Sequence, residues 1–217
     1  MCHLLTDTRY QKVLEVKKPL RDIIKPTIVL FLICTIVTMA LALTNYATKD
    51  AISEQVRIQE ESARREVFSE AEDFEEIKDL DSIIGATEED RLVKKAFKSL
   101  KGGEVIGRVY SVESKGYGGV ISIAVGIDNS GKTTGVKIVS HSETPGLGSK
   151  TQDEPFISQL KGIAPKAELT VVKMGGSKEE EIDAVSGATI SSKAVVKATQ
   201  EAIDVDRKIK EKGGESW

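Results

Sequence analysis

Val120-Ile121-Ser122-Ile123-Ala124-Val125-Gly126-Ile127-Asp128-Asn129-Ser130-Gly131-Lys132-Thr133-Thr134-Gly135-Val136-Lys137-Ile138-Val139 is the stretch on which the fold class turns. Gly126 to Thr133 fits G-x-x-x-x-G-K-[ST], the pattern of a loop that cradles phosphate between a strand and a helix. The flanks argue against that reading. Residues 120–127 alternate apolar with small or polar, as a half-buried strand does. Residues 134–139 open on Thr-Gly and alternate too, so a second strand follows where the pattern needs a helix. No apolar run ending in Asp lies downstream to complete a nucleotide site. Asn129-Ser130-Gly131-Lys132 is therefore a hairpin turn, and the fold class is α+β.

Working outward, residues 105–113, 135–140 and 169–174 read as further strands. Residues 91–99 and 156–160 read as short helices, and residues 191–210 as a long terminal helix. Together they make a domain over 91–212, large enough to bury a core. A short tail, 213–217, follows. On the other side lies Pro26–Tyr46, 21 residues without a charge. About 20 apolar residues cross a bilayer, so this is a transmembrane helix. Pro26 suits a first helical turn and Tyr46 an interfacial anchor. The 15 residues before the span carry five basic groups (Lys12, Lys17, Lys18, Arg21, Lys25), and the 15 after it carry two (Lys49, Arg57). That bias predicts a single-pass protein of the cell membrane with residues 1–25 in the cytoplasm and the domain on the extracytoplasmic side. A cleaved signal ending near Ala40-Leu41-Ala42 would need a shorter apolar run, and a lipoprotein site at Cys34 would need a small residue in place of Ile33. Residues 47–90 then read as a helical stalk and an acidic linker.

Composition narrows the partners. The formal charge of −3, the pI near 5.6 and 5% aromatic residues argue against nucleic acid. Two cysteines, Cys2 and Cys34, and two histidines, His3 and His141, build neither a disulfide framework nor a metal site. No His–carboxylate constellation for acid–base catalysis stands out, and His141 fits a loop hydrogen-bonder as well as it fits any other role.

Two segments carry chemistry. Asp183-Ala184-Val185-Ser186-Gly187-Ala188-Thr189 is a small-residue turn that presents a hydroxyl where the terminal helix begins. Unpaired N–H groups and the helix dipole make such a place favourable for a phosphate. Asp81-Ser82-Ile83-Ile84-Gly85-Ala86-Thr87 copies its outline, but Glu88, Glu89 and Asp90 follow and would repel a phosphate, so Thr189 is preferred to Thr87. In the second segment, residues 140–150, Pro145, Gly146 and Gly148 make a tight loop in which backbone can approach a flat ligand. Leu147 could pack on a ring face and Thr144 meet a polar edge. An ordinary Pro-Gly turn has the same pattern.

Glu143-Thr144-Pro145-Gly146-Leu147-Gly148, placed before Ser186-Gly187-Ala188-Thr189, resembles the pair of motifs of the FMN-binding domain family. Within it the chain is similar to the RnfG proteins of Rnf electron-transport complexes, and more distantly to the NqrC proteins of sodium-translocating NADH:quinone reductases. Gly116-Tyr117-Gly118-Gly119 and the single N-terminal span fit too. Ser191 stands where relatives often have Thr, and keeps the hydroxyl.

The resemblance implies FMN joined to Thr189 by a phosphoester, put there by a flavin transferase. It implies an electron carrier, not catalytic alone, among the membrane and peripheral subunits of a complex that couples ferredoxin:NAD electron transfer to Na+ or H+ movement. On this reading Ser186, Gly187 and Ala188 shape the turn, while Ser191 and Ser192 help to hold phosphate. Asp183 serves recognition by the transferase, and Glu143, Thr144, Gly146, Leu147 and Gly148 line the isoalloxazine. Alternatives are the NqrC component of the reductase, a flavoprotein acting alone, and a cofactor-free assembly module, which leaves the Ser-Gly-Ala-Thr turn unexplained.

Overall fold

The computed structural model describes residues 7–78, 80, 85, 91–173, 175–176 and 180–212, with side chains from residue 23 onward. By its internal contacts the chain divides into two units, Met1–Gln55 and Val56–Trp217. One helix, α1 (Asp7–Val67), runs through the division. Pro26 therefore lies inside a helix and not at its first turn. The charge-free run marks where lipid can sit, whereas helix-forming polar residues on both flanks carry the helix further.

In the first unit the described side chains, from Ile23 onward, are all exposed. Among the described residues this is the one helix long and apolar enough to cross a membrane. The hydroxyls of Thr27, Thr35, Thr44 and Thr48 donate to the carbonyls of Ile23, Phe31, Ala40 and Thr44 at 2.8–2.9 Å. These four hydroxyls are thereby satisfied within the helix, as a polar group facing hydrocarbon has to be.

The second unit is built on a five-stranded antiparallel meander: β1 (Asp73–Glu76), β2 (Val93–Lys101), β3 (Glu104–Lys115), β4 (Val120–Asp128) and β5 (Thr133–Ser140). After β5 come a 3-10 turn at Gly148–Gln152 and a short helix, α2 (Glu154–Ile157), started by Pro155. A parallel pair, β6 (Thr170–Val172) and β7 (Glu181–Asp183), precedes the terminal helix α3 (Thr189–Lys212).

The hairpin reading holds. Residues 126–133 join two antiparallel strands, and the amides of Ser130, Gly131 and Lys132 are bonded within the turn to Asp128. Asp128 Oδ1 accepts the Ser130 amide at 2.8 Å, the Ser130 hydroxyl at 2.5 Å and the Lys132 amide at 3.0 Å. Burial pushes the Asp128 carboxyl up, but these bonds and the nearby Lys210 charge outweigh it and hold the group below the usual carboxylate range. A depressed native pKa adds stability above the unfolded value, near 4, that is lost as pH falls through the native value. An Asp128→Asn chain should accordingly lose less melting temperature than the wild type below about pH 4. Equal losses in thermal melts at pH 3 and 6 would contradict this.

Both faces of the sheet are covered, which changes the meaning of the β4 pattern. Ile121, Ile123, Val125 and Ile127 pack under α3 with Tyr110, Val112, Val195, Ala198 and Val205. Ala124 faces the other way, into a smaller cluster with Val109, Ala63, Val67 and Phe68. The strand alternates large with small, not buried with exposed.

The small residues make room for the end of α1. A Cβ on Gly126 would strike Thr134 Oγ1 and lie 2.8 Å from the Val67 carbonyl. A Cβ on its cross-strand partner Gly135 would lie 3.1 Å from the Val67 Cα. Thr134 Oγ1 donates to that carbonyl at 2.6 Å. Gly126→Ala should cost about 1–3 kcal/mol by overpacking. An unchanged melting temperature would mean that the helix end is not held there.

Two expectations differ from what is found. Residues 91–99, expected as a helix, belong to β2. Val93, Ala96 and Phe97 are buried at helical spacing, but a bulge between Val93 and Lys95 breaks the strand alternation and both faces are covered. Within 47–90, expected as stalk and linker, Asp73–Glu76 is the edge strand of the sheet, and Ala63, Val67 and Phe68 are core residues. Charged neighbours mask their spacing in the sequence. The Asp81–Thr87 look-alike, apart from Gly85, and the tail 213–217 lie outside the described residues.

Candidate functional site

β7 ends at Asp183, and the chain turns through Ser186 and Gly187 into α3. Gly187 has φ +77°, a left-handed conformation that suits glycine. Ser192, fully buried, locks this turn. Its hydroxyl accepts the Val185 amide and donates to the Ala188 carbonyl, both at 3.0 Å. Ala188 N donates to Val185 O at 2.9 Å. Ser192 is thus occupied within the turn and does not face a ligand. The first-turn amides of Thr189, Ile190 and Ser191, and the Thr189 hydroxyl, have no hydrogen-bond partner among the described residues. Four donors at the positive end of a 24-residue helix are left for an anion.

Two cavities meet at this helix start, and Gly187 and Thr189 line both. The smaller, about 410 Å³, is walled by Tyr117, Thr144, Leu147, Gly148, Ala188, Ile190 and Ser191. Tyr117, Leu147 and Ile190 are 72%, 49% and 55% exposed, so three large apolar surfaces border one hollow. The larger, about 860 Å³, is walled by apolar Pro155, Phe156 and Val185, with Lys150, Lys173, Asp153 and Asp183. Gln159 holds Asp183 in place: its Oε1 accepts the Asp183 amide at 2.8 Å and its Nε2 donates to the Asp183 carbonyl at 3.3 Å. The Asp183 carboxylate accepts the Gly176 amide at 3.0 Å.

The structure thus brings Thr144, Leu147, Gly148, Ala188, Thr189 and Ser191 around one cavity. It places Ser186 in the other and leaves Gly146 exposed at the loop tip with φ +75°. Glu143 lies beneath the smaller cavity. It is buried; its Oε1 accepts the amides of Tyr117 and Gly118 at 2.8 and 3.1 Å, and its Oε2 accepts the Ser191 hydroxyl at 2.7 Å. His141 bonds within the loop, its Nδ1 accepting the Glu143 amide at 3.2 Å. Tyr117, Ile190, Lys173 and Gln159 also belong to the cavity walls, beyond the residues expected from the sequence. A tyrosine set among glycines was the available signal for Tyr117; nothing local marks the other three.

A model of the RnfG N-terminal region matches residues 17–67, and one of the FMN-binding domain matches residues 116–204, which hold both cavities. The chain is 38% identical over 194 residues to the G component of the Na(+)-translocating ferredoxin:NAD(+) oxidoreductase complex of Acetobacterium woodii, an alignment covering 84% of this chain and 91% of that one. The chain belongs to the RnfG family. Another relative in that family is the G component of the proton-translocating ferredoxin:NAD(+) oxidoreductase complex of Clostridium ljungdahlii, 36% identical over 79% of this chain and 84% of its own. The C component of the Na(+)-translocating NADH-quinone reductase of Parabacteroides distasonis shares the fold: TM-score 0.52, 15% identity, 72% of this chain and 96% of that one.

FMN suits what this RnfG-family site offers. The unpartnered amides at the α3 start fit a phosphate, and the uncovered faces of Tyr117, Leu147 and Ile190 fit an aromatic ring. The site has no cluster of His, Cys, Asp or Glu that could hold a metal among the described residues.

Proposed function

We propose that this chain is the FMN-bearing electron-transfer component of a membrane complex that couples ferredoxin:NAD oxidoreduction to ion translocation, and that its FMN is esterified to Thr189. The observation that carries this reading is the Thr189 hydroxyl: unpartnered among the described residues, set at a helix N-terminus, and shared by two cavities. FMN, when bound, supplies the electron-carrying chemistry. The chain's own residues do the rest. The amides of Thr189, Ile190 and Ser191 neutralise phosphate charge without needing a cation. Leu147 and Ile190 exclude water from the ring, and Thr144 offers a hydroxyl to its edge. A covalent tether keeps the cofactor on an exposed domain.

The basic residues ahead of the span support a cytoplasmic N-terminus and an extracytoplasmic domain. The partners are then the other subunits of the complex and, during maturation, a flavin transferase that recognises the turn through Asp183. The test is to purify the full chain from cells making an active flavin transferase, and to run it on a denaturing gel under blue light. A fluorescent band, with co-purifying membrane subunits, supports the reading. A dark band overturns it and favours a cofactor-free assembly module.

A further inference from the structure

Among the described residues two acids are buried, Glu143 and Asp206, and Asp206, within α3, is paired with Arg108 and Lys210. No cation is paired with Glu143 among the described residues. Three donors converge on it instead, two amides and a hydroxyl. The three donors come from separate places: the 116–119 turn gives two, and the first turn of α3 gives the third. The surrounding backbone is shaped to this group. A Cβ on Gly116 would strike Glu143 Oε1. One on Gly148 would strike Oε2 and lie 2.9 Å from Ser191 Oγ. Tyr117, Gly148 and Ser191, which touch or bond the carboxylate, also line the smaller cavity, and among the described residues no charged side chain does.

Resting on the function proposed above, we infer that Glu143 is a positioning residue with an electrostatic task. It sets Tyr117 against the helix start, and its fixed negative charge lowers the midpoint potential of the flavin held in the smaller cavity. A redox ring that gains negative charge on reduction is disfavoured in its reduced form by an anion close by in a low-dielectric setting. The two amides and one hydroxyl moderate that charge without cancelling it.

Two variants separate this from a purely structural role. Glu143→Gln keeps an acceptor for both amides and a group that Ser191 can bond, but removes the charge. Ser191→Ala keeps the charge and removes one of its donors. The full chain in detergent is loaded by the transferase, checked for flavin fluorescence, and titrated for its midpoint potential, with melting temperature read in parallel. The expected result is a shift to more positive potential in Glu143→Gln and to more negative potential in Ser191→Ala. Shifts of one sign in both variants, or no shift in Glu143→Gln, overturn the inference while leaving the covalent flavoprotein intact. Should Glu143→Gln not retain flavin, the sign in Ser191→Ala decides alone: negative supports, zero or positive overturns. A wild-type chain without flavin overturns both this and the proposed function.

Discussion

A Thr189→Ala chain made alongside a flavin transferase is expected to run dark on a denaturing gel, where the wild type fluoresces. The substitution removes one hydroxyl. That hydroxyl has no partner among the described residues, so no internal hydrogen bond is lost with it, and Ala is well tolerated in a first helical turn. Stability should move by no more than about 0.5 kcal/mol. Loss of flavin with an unchanged melting temperature is therefore a chemical result and not an unfolding one. Thr189→Ser keeps an oxygen at the same place and should restore part of the signal. Undiminished fluorescence in Thr189→Ala would move the attachment to another hydroxyl, with Thr87 the first to try.

The second large effect lies away from the cavities, where α3 is fastened to β3. Asp206 is buried and accepts Arg108 Nη1 at 3.1 Å and the Tyr110 hydroxyl at 2.8 Å, while Lys210 Nζ approaches its other oxygen at 2.7 Å. Burial, and after it the Asp206 charge and hydrogen bond, raise the Tyr110 hydroxyl far above its ordinary pKa, so it stays a neutral donor. Removing the carboxylate strands the Arg108 guanidinium, whose Nε has no partner among the described residues, and the Tyr110 hydroxyl inside the core. Breaking a buried pair from one side typically costs about 3–5 kcal/mol, a large part of a domain's stability. Asp206→Ala should thus unfold at much lower denaturant or temperature than the wild type, and Asp206→Asn, which keeps an acceptor, should fall between. A loss under about 1 kcal/mol for Asp206→Ala would show that solvent reaches this cluster after all. Because α3 also presents Thr189 at its other end, a loosened helix would lower flavin loading as a secondary effect.

The same helix shows how unevenly the molecule could be read from its residues. The hairpin at 120–139 was legible because Asn129-Ser130-Gly131 interrupts two alternating runs, and turn chemistry is local. β2 was misread for the opposite reason. Val93, Ala96 and Phe97 are buried by partners on two faces of a sheet, and a bulge erases the period that marks a strand. The Ser-Gly-Ala-Thr turn was legible as a phosphate site because small residues, a hydroxyl and a helix start are adjacent in the chain. The cavity walls are legible only in part: Leu147 stands out in its Pro-Gly loop, whereas Tyr117 and Ile190 lie dozens of residues apart and no periodicity links them.

By itself, then, the sequence determined what depends on neighbours along the chain: a helix apolar enough to cross a membrane, an antiparallel hairpin, and a hydroxyl at the start of a terminal helix. The tertiary structure alone decided what depends on neighbours in space. It seats the end of α1 on sheet glycines, pairs Asp206 with Arg108, and puts the Glu143 carboxylate beneath the cavity at Thr189. The physical reason is range. Helix propensity, turn geometry and hydropathy act within a few residues, whereas burial and charge pairing act between groups that only the folded chain brings within a few ångströms of each other.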